Sequence, residues 1–328
     1  MVDDNNARKI KRKHSNNGCN MPMMANCEPL PYGCVWSAAD WSCAYDAFFM
    51  VFFFIHHSSG EFWTNSWSTY SPLAFVLHNY FSRLSSEYTH GLQPQFDQYR
   101  DQIRDILSDQ QPNIFPRHGP AAIDVSDIFE QLNWNSEHGH MMSIQRTCSH
   151  CNQEFPPVSL HLPTTIHPAM LPCPTNHPVS TANTLTIQES INTMINTAVK
   201  DEYFNIHCAQ CSSGLQNTEI SLPPSPYLHF DVPPDGSHSI LPSHTLNFSN
   251  ENTGNNYYRL RGIIYHGNLH FTARLITMDH GTWSYDGQHN GGIPIKDTVK
   301  ADDESELTTL QGRRAYIYVY QRIDHENI

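Results

Sequence analysis

The sequence predicts an α+β fold, in which helices and strands occupy separate parts of the chain. Helix-like spacing of apolar residues runs from residue 40 to about 132. Paired cysteines, prolines and threonines mark 140–215, and from 218 onward the apolar segments are rich in aromatic and β-branched residues. Helices, then a cysteine-rich insert, then antiparallel strands is an order typical of the α+β class.

The helical part contains four predicted helices. They cover 43–57, 71–86, 95–108 and 124–132. Pro112, Pro116 and Pro120 interrupt the pattern before the last of them. The first helix includes nine consecutive apolar residues, Ala47 to Ile55. Because a helix that is apolar on nearly every face is a buried helix, we expect it at the centre of the core.

The second half contains five predicted strands. They cover 227–232, 257–266, 269–277, 282–286 and 315–322. A hairpin turn is expected near Met278 to Gly281. If this turn centres near 278, residue 270 lies opposite 286. If it centres near 279, residue 270 lies opposite 288, and in both registers His270 and Asp286 are within reach of each other.

The composition and charge of the chain argue against several classes of function and location. Asp and Glu number 32 against 19 Lys and Arg, so the net charge is −13, which argues against nucleic acid as the main partner. No stretch approaches the roughly 20 apolar residues of a membrane span, and residues 1–30 lack the apolar core of a secretory signal. We therefore expect an intracellular protein, cytoplasmic or nuclear, with no membrane partner. Residues 1–30 are interpreted as a flexible polar tail, whose basic run Arg8 to Lys13 is a candidate nuclear import signal.

Two CxxC pairs predict a metal site. They are Cys148-Ser-His-Cys151 and Cys208-Ala-Gln-Cys211, with 152–207 between them. In a reducing compartment nine cysteines favour metal ligation or catalysis over disulfides. Four thiolates suit tetrahedral Zn²⁺ and leave no open position for water, so the expected zinc is structural. The alternative is that one pair is accidental and the thiols are free.

Cys43 lies where the apolar helix begins. Asp40 and Ser42 are favourable N-cap residues just before it. In the first turn, the helix dipole and free N–H groups favour a thiolate and lower the cysteine pKa. A small buried cysteine is the alternative interpretation. A thiol facing a histidine that an aspartate orients is the arrangement of a cysteine peptidase, with His270 and Asp286 as the candidates. His266, His280 and His289 are alternative bases, of which the first two are expected in turns.

Together these motifs resemble those of the ubiquitin-specific proteases, the USP type of deubiquitinase, over about residues 35–323. The motifs in chain order are SCAYDAFF, CSHC, CAQC, LPPSPYLHF, YRLRGIIYHGNLHFTARL, WSYD and AYIYVYQR. These motifs occur in the order Cys, CxxC pairs, His, Asp. In the SUMO-type proteases the catalytic residues occur in the order His, Asp, Cys.

The resemblance implies a papain-like hand within one catalytic domain at 31–328. Its parts would be a helical thumb at 31–140, zinc-binding fingers at 141–217 and an antiparallel β palm at 218–328. It implies that Cys43 is the nucleophile, His270 the base and Asp286 its orienting residue. It also implies hydrolysis after the C-terminal glycine of ubiquitin or a ubiquitin-like protein, by a monomer.

Two positions depart from the family pattern. The family usually has Asn or Gln five residues before the cysteine as an oxyanion donor, and here that residue is Ala38. The family also has glycine before the histidine, and here Leu269 occupies that position. Two alternatives therefore stay open: a catalytically weak or inactive module of the same fold that binds a ubiquitin-like partner, and a zinc-dependent scaffold unrelated to peptidases.

Overall fold

A computed structural model of the chain describes residues 28–118, 123–134, 136, 141–161, 184–193, 208–213, 216–221, 225–232, 239–248 and 256–323. Helices and antiparallel sheet occupy separate parts of the chain, which confirms the predicted α+β class. The tail predicted at 1–30 lies almost entirely outside the described residues. Cys19, Cys27 and Cys173 also lie outside them, with most of the 152–207 insert.

Five helices form the first part of the described chain. They are α1 Cys43–Ser58, α2 Glu61–Ser68, α3 Pro72–Thr89, α4 Phe96–Gln110 and α5 Val125–Asn133. All four predicted helices are confirmed, and α2 was not predicted. Trp63 and Trp67 are the buried residues of α2, one turn apart, so an eight-residue helix showed too little periodicity to detect.

The strands form one large sheet and two small ones. They are β1 Met141–Cys148, β2 Val158–His161, β3 Thr184–Thr186, β4 Gln216–Ser221, β5 Tyr227–Asp231, β6 Ser239–Leu241, β7 Thr245–Phe248, β8 Asn256–Gly267, β9 His270–Ile276, β10 Thr282–Tyr285, β11 Ile295–Lys296, β12 Thr309–Leu310 and β13 Arg313–Ile323. The large sheet has the order β11-β10-β9-β8-β13-β12, with β5 also paired to β13 and β7 to β8. Strands β2-β1-β4 form a separate antiparallel sheet, and β3 pairs with β6 in parallel.

The buried helix α1 packs between the other helices and one face of the large sheet, and the other face of the sheet is covered by a second apolar cluster. Phe52 of α1 stacks on Trp67 and meets Tyr227 of β5 edge-on. A side chain at Gly262 of β8 would lie 2.4 Å from Val51, so glycine there lets the helix approach the strand closely. Each large apolar side chain buried in this way contributes about 1.5–3 kcal/mol.

The apolar run of α1 is therefore a core helix. Within the described residues, no helix combines the length and the apolar character needed to cross a bilayer.

Candidate active site

Cys43 is the first residue of α1, as predicted, but the residue before it does not cap the helix with its side chain. The Ser42 hydroxyl instead accepts a hydrogen bond from the Ser37 N–H and donates one to Asp46, both at 2.8 Å. These bonds fold the preceding loop back onto the first turn of α1. Trp41 in this loop has φ of 50°, a left-handed conformation that an aromatic residue rarely adopts. Such strain persists only where the surrounding structure fixes the backbone.

A buried ion pair lies one turn beyond Cys43. Arg100 of α4 contacts the Asp46 carboxylate at 2.7 Å, and the two side chains are 3% and 1% exposed. The same guanidinium donates to the carbonyl of Val35 at 2.8 Å. Arg100 therefore joins α4, α1 and the loop that leads to the cysteine. This pair has no signal in the sequence, because 54 residues separate its members.

The β9–β10 hairpin brings His270 and Asp286 together. Its register pairs Ala273 with Tyr285, so the turn centres near 279 and Asp286 lies diagonally across from His270. The Nε2 atom of His270 lies 2.9 Å from Oδ1 of Asp286, and both residues are buried. The Nδ1 atom of His270 is also buried and has no hydrogen-bond partner among the described residues. One ring nitrogen is thus held by a carboxylate, and the other is free to exchange a proton.

Asp286 remains a carboxylate because three donors surround it. Burial opposes its ionisation, but hydrogen bonds from His270, the Gln288 backbone N–H and His289 outweigh burial and hold the pKa of Asp286 well below its usual range. His289, an alternative base in the sequence analysis, contacts the second carboxylate oxygen at 2.9 Å. His289 therefore stabilises the Asp286 carboxylate and is not the base assigned to the thiol.

The Cys43 sulfur lies beside the His270 strand. The backbone N–H of Phe271, the residue after His270, is directed at this sulfur, together with the N–H groups of Cys43 and Ala44. Burial nevertheless raises the pKa of Cys43 above its usual value, because the side chain is only 6% exposed. The prediction of a lowered pKa is therefore wrong: desolvation exceeds the effect of the helix N-terminus, and the resting group is a neutral thiol.

The loop before α1 is also hydrogen-bonded to the open end of the hairpin, next to Asp286. The backbone N–H of Trp36 donates to the carbonyl of Gly287 at 3.0 Å. The Trp36 ring meets the His270 imidazole edge-on, with centroids 6.3 Å apart. These contacts fix the imidazole relative to the helix that carries Cys43.

A cavity of about 150 Å³ opens beside the thiol. Its lining is Trp41, Cys43, Ile123, Asp124, His266, Leu269 and Phe271. His266 was expected in a turn, but it lies in β8, where it stacks on Phe271 with ring centroids 4.4 Å apart. Strand β8 extends to Gly267 because the turn that follows needs only Asn268 and Leu269.

Of two further residues that line this cavity, the sequence singled out Leu269 but not Asp124. Leu269 has φ of 58° and is 69% exposed at the rim, so its side chain projects over the approach to the thiol. Asp124 was not singled out from sequence. It caps α5 and accepts a hydrogen bond from the Tyr316 hydroxyl at 2.7 Å, which places a carboxylate in the cavity wall.

The four paired cysteines come together at the base of the small antiparallel sheet. The sulfurs of Cys148 and Cys211 are 3.5 Å apart, as are those of Cys151 and Cys208, and all four lie within 4.8 Å of one another. Tetrahedral zinc with bonds of about 2.3 Å places its sulfurs roughly 3.8 Å apart. The four thiols therefore fit a zinc ion in number, chemistry and spacing.

The two CxxC turns share one backbone design. Cys148 N–H donates to the Gln153 carbonyl at 2.8 Å, and Cys208 N–H donates to the Ser213 carbonyl at 2.9 Å. In each turn the residue four positions after the first cysteine, Asn152 or Ser212, has a positive φ and donates its N–H back to that cysteine. Two equivalent turns facing each other are a reason to treat neither CxxC as accidental.

Comparison with known proteins gives matches among solved structures alone. No protein-family model matches the chain, and no curated protein matches it. One matching structure is the SAGA DUB module of Ubp8, Sgf11, Sus1 and Sgf73 bound to monoubiquitin: 13% identity, 94% of this chain, 73% of that chain, TM-score 0.49. Another is the same module bound to ubiquitin aldehyde, with 14% identity, 90% and 70% of the two chains, and a TM-score of 0.48. Identities this low concern the fold alone, and with TM-scores below 0.5 any functional assignment must come from the chain's own residues.

Proposed function

We propose that this protein is a thiol-dependent peptidase that hydrolyses the peptide or isopeptide bond after the C-terminal glycine of ubiquitin or a ubiquitin-like protein. The observation that carries the proposal is the grouping of Cys43, His270 and Asp286. The backbone N–H of Phe271, next to His270, acts on the thiol and lowers its pKa. The imidazole is hydrogen-bonded to Asp286 through one nitrogen and has no partner at the other among the described residues. The choice of ubiquitin as substrate rests on the sequence motifs described above.

The reaction would proceed through a thioester. His270 Nδ1 takes the thiol proton as the sulfur of Cys43 attacks the glycine carbonyl carbon, forming the C–S bond. The C–N bond then breaks, and the proton moves from the imidazole to the leaving amine. Water next attacks the thioester, the C–S bond breaks, and the products are the carboxylic acid and the regenerated thiol. Asp286 stabilises the imidazolium in both steps.

Backbone groups supply the oxyanion stabilisation in this proposal. Ala38 offers no side-chain donor, whereas the N–H groups of Cys43 and Ala44 lie at the start of α1, where helix N–H groups lack intrahelical partners. Loss of one oxyanion donor costs about 10²–10³ in rate, so we expect slow turnover. The neutral resting thiol adds to this expectation, because the proton must be removed during the attack itself.

Four cysteines would hold zinc as a structural ion. Cys148, Cys151, Cys208 and Cys211 supply four thiolates, which complete a tetrahedral shell and leave no position for substrate. The ion would join the end of β1 to the turn that carries Cys208 and Cys211. It lies outside the reaction steps assigned to Cys43.

A ubiquitin probe with a C-terminal electrophile tests the proposal. We expect a covalent adduct with the wild-type protein, none with Cys43→Ala, and labelling slowed about 10²–10⁴-fold in His270→Ala. Cys34→Ala and His90→Ala are the matched controls, since Cys34 contacts the hairpin through its backbone carbonyl, which the substitution keeps, and His90 is exposed at the end of α3. Tight binding without an adduct would instead identify an inactive ubiquitin-binding module. Neither binding nor adduct, across a panel of ubiquitin-like probes, would refute both functions.

A further inference from the structure

Three loops meet at the end of the β9–β10 hairpin opposite His270. His244 directly precedes β7, His280 lies in the turn between β9 and β10, and Asp302 lies in the loop after β11. His270 is the first of the seven residues of β9 and this turn follows the last, a distance of roughly 20 Å along the strand. The cluster is therefore separate from the site at Cys43, and it contains none of the four cysteines.

The three side chains already lie close together. The imidazoles of His244 and His280 stack with centroids 4.2 Å apart, and Nδ1 of His280 is bonded to Oδ1 of Asp302. One ligand atom from each residue lies within 4.8 Å of the other two. Tetrahedral zinc with bonds of about 2.0–2.1 Å needs ligand separations of roughly 3.4 Å, which small side-chain rotations in these loops provide.

His244 is the least satisfied member of the cluster. Both of its ring nitrogens are buried, and neither has a hydrogen-bond partner among the described residues. A neutral imidazole carries one donor and one acceptor, and each is unfavourable when it is buried without a partner. A cation bound through the lone pair of one nitrogen would satisfy the acceptor.

The backbone holds the three loops in place. The Ala301 N–H donates to the His280 carbonyl at 3.2 Å, and the backbone N–H of His244 donates to the Glu304 carboxylate at 3.3 Å. Glu304 adds a second negative charge beside Asp302. Two cations lie near the cluster: Lys300 acts on the Asp302 carboxylate, and Arg259 acts on His244 while its guanidinium donates to the Met278 carbonyl at 3.1 Å. Asp302 has 64% of its side chain exposed, which leaves an open path for an ion from solvent.

We propose that His244, His280 and Asp302 form a second metal site, which binds a zinc-like divalent cation independently of the four-cysteine cluster. Two imidazoles and one carboxylate are a donor set that zinc accepts, and they leave a fourth position for water. The ion would join the β9–β10 turn to the loops before β7 and after β11. This proposal does not depend on the chemistry assigned to Cys43.

Zinc counting with the full-length protein tests the site. After loading with Zn²⁺ and desalting, elemental analysis should give two zinc ions per chain in the wild type and one in His244→Ala. His90→Ala, an exposed histidine at the end of α3, is the matched control and should keep two. One zinc in all three proteins would overturn the proposal, as would two zinc ions retained in His244→Ala.

A milder variant separates ligation from folding. Asp302→Asn changes a largely exposed side chain, and should weaken the second zinc affinity at least 10-fold in competition with a chelating dye, with an unchanged circular dichroism spectrum. Cobalt loading supplies an independent readout. In Cys148→Ser the remaining cobalt should show ligand-field absorption without intense thiolate charge transfer, and this absorption should disappear when His280→Ala is added. An unchanged affinity in Asp302→Asn, or no residual cobalt signal in Cys148→Ser, would contradict the assignment.

Discussion

The buried ion pair next to Cys43 yields a sharp stability prediction. Arg100 lies 2.7 Å from the Asp46 carboxylate, and solvent reaches almost none of either side chain. Replacing Arg100 with Met keeps most of the apolar volume but leaves the carboxylate buried without its counter-ion. Removal of one partner from a buried pair costs about 3–5 kcal/mol, so Arg100→Met should lower the free energy of unfolding by that amount.

The magnitude can be checked against an exposed pair in the same chain. Lys296 and Glu28 are 3.6 Å apart and both largely exposed, so Lys296→Met should cost less than about 1 kcal/mol. Denaturant unfolding followed by tryptophan fluorescence measures both variants.

A double variant tests the reason for the loss. Asp46→Leu combined with Arg100→Met removes both charges, so it should recover most of the stability lost in Arg100→Met. In that variant the Ser42 hydroxyl loses an acceptor and the Val35 carbonyl loses a donor, which leaves a residual cost of roughly 1–2 kcal/mol. A loss in Arg100→Met no larger than that in Lys296→Met would refute the role of the buried charge, as would a double variant that loses the sum of the two single losses.

Three further predictions concern the thiol, its hydrogen-bonded hairpin and the cysteine cluster. Because burial raises the pKa of Cys43, iodoacetamide should alkylate it slowly at pH 7 and progressively faster above pH 9; a rate already at its plateau at pH 7 would contradict a neutral resting thiol. The depressed pKa of Asp286 stabilises the fold above the ordinary pKa of 3.8, and this contribution disappears as pH falls through the lower folded value. The melting temperature of Asp286→Asn should therefore lie below that of the wild type at pH 7 and approach it below pH 4, and a constant difference would argue against ionisation as the cause. Cys148→Ser should lose one zinc and increase amide exchange in β1 and β4 with α1 still protected, whereas exchange that rises equally in α1 would show that the cluster supports the whole fold.

Sequence patterns located the elements whose signals are local. The apolar run of α1 and the aromatic, β-branched strands β8, β9 and β13 follow from residue periodicity, because burial of one face or of the whole element selects those residues. The weakly apolar strands β1 and β4 were not predicted. Residues such as Gln145, Arg146 and Glu219 form a ladder there through backbone pairing between segments about 70 residues apart.

The contacts of some site residues could not be predicted from the sequence. His289 binds the second oxygen of Asp286, and Asp124 enters the cavity wall through its bond to Tyr316, 192 residues away. The alternation of apolar and polar residues along a strand shows on which face of the sheet a side chain lies. It does not show which distant residue contacts that side chain. The direction of the Cys43 pKa shift depended on the same information, since desolvation is set by all the atoms that cover the thiol.

The sequence by itself determined that a cysteine begins a buried helix and that two CxxC pairs can ligate a metal. It also determined that one hairpin carries a histidine and an aspartate within reach of each other. These follow from spacing along the chain, which covalent geometry converts directly into proximity. Only the tertiary structure decided that Arg100 neutralises Asp46 near the thiol, that the thiol rests in its neutral form, and that His244, His280 and Asp302 meet at the far end of the hairpin. Those contacts join segments that are far apart in the chain with no regular spacing between them, and their energies depend on how completely the folded chain excludes water.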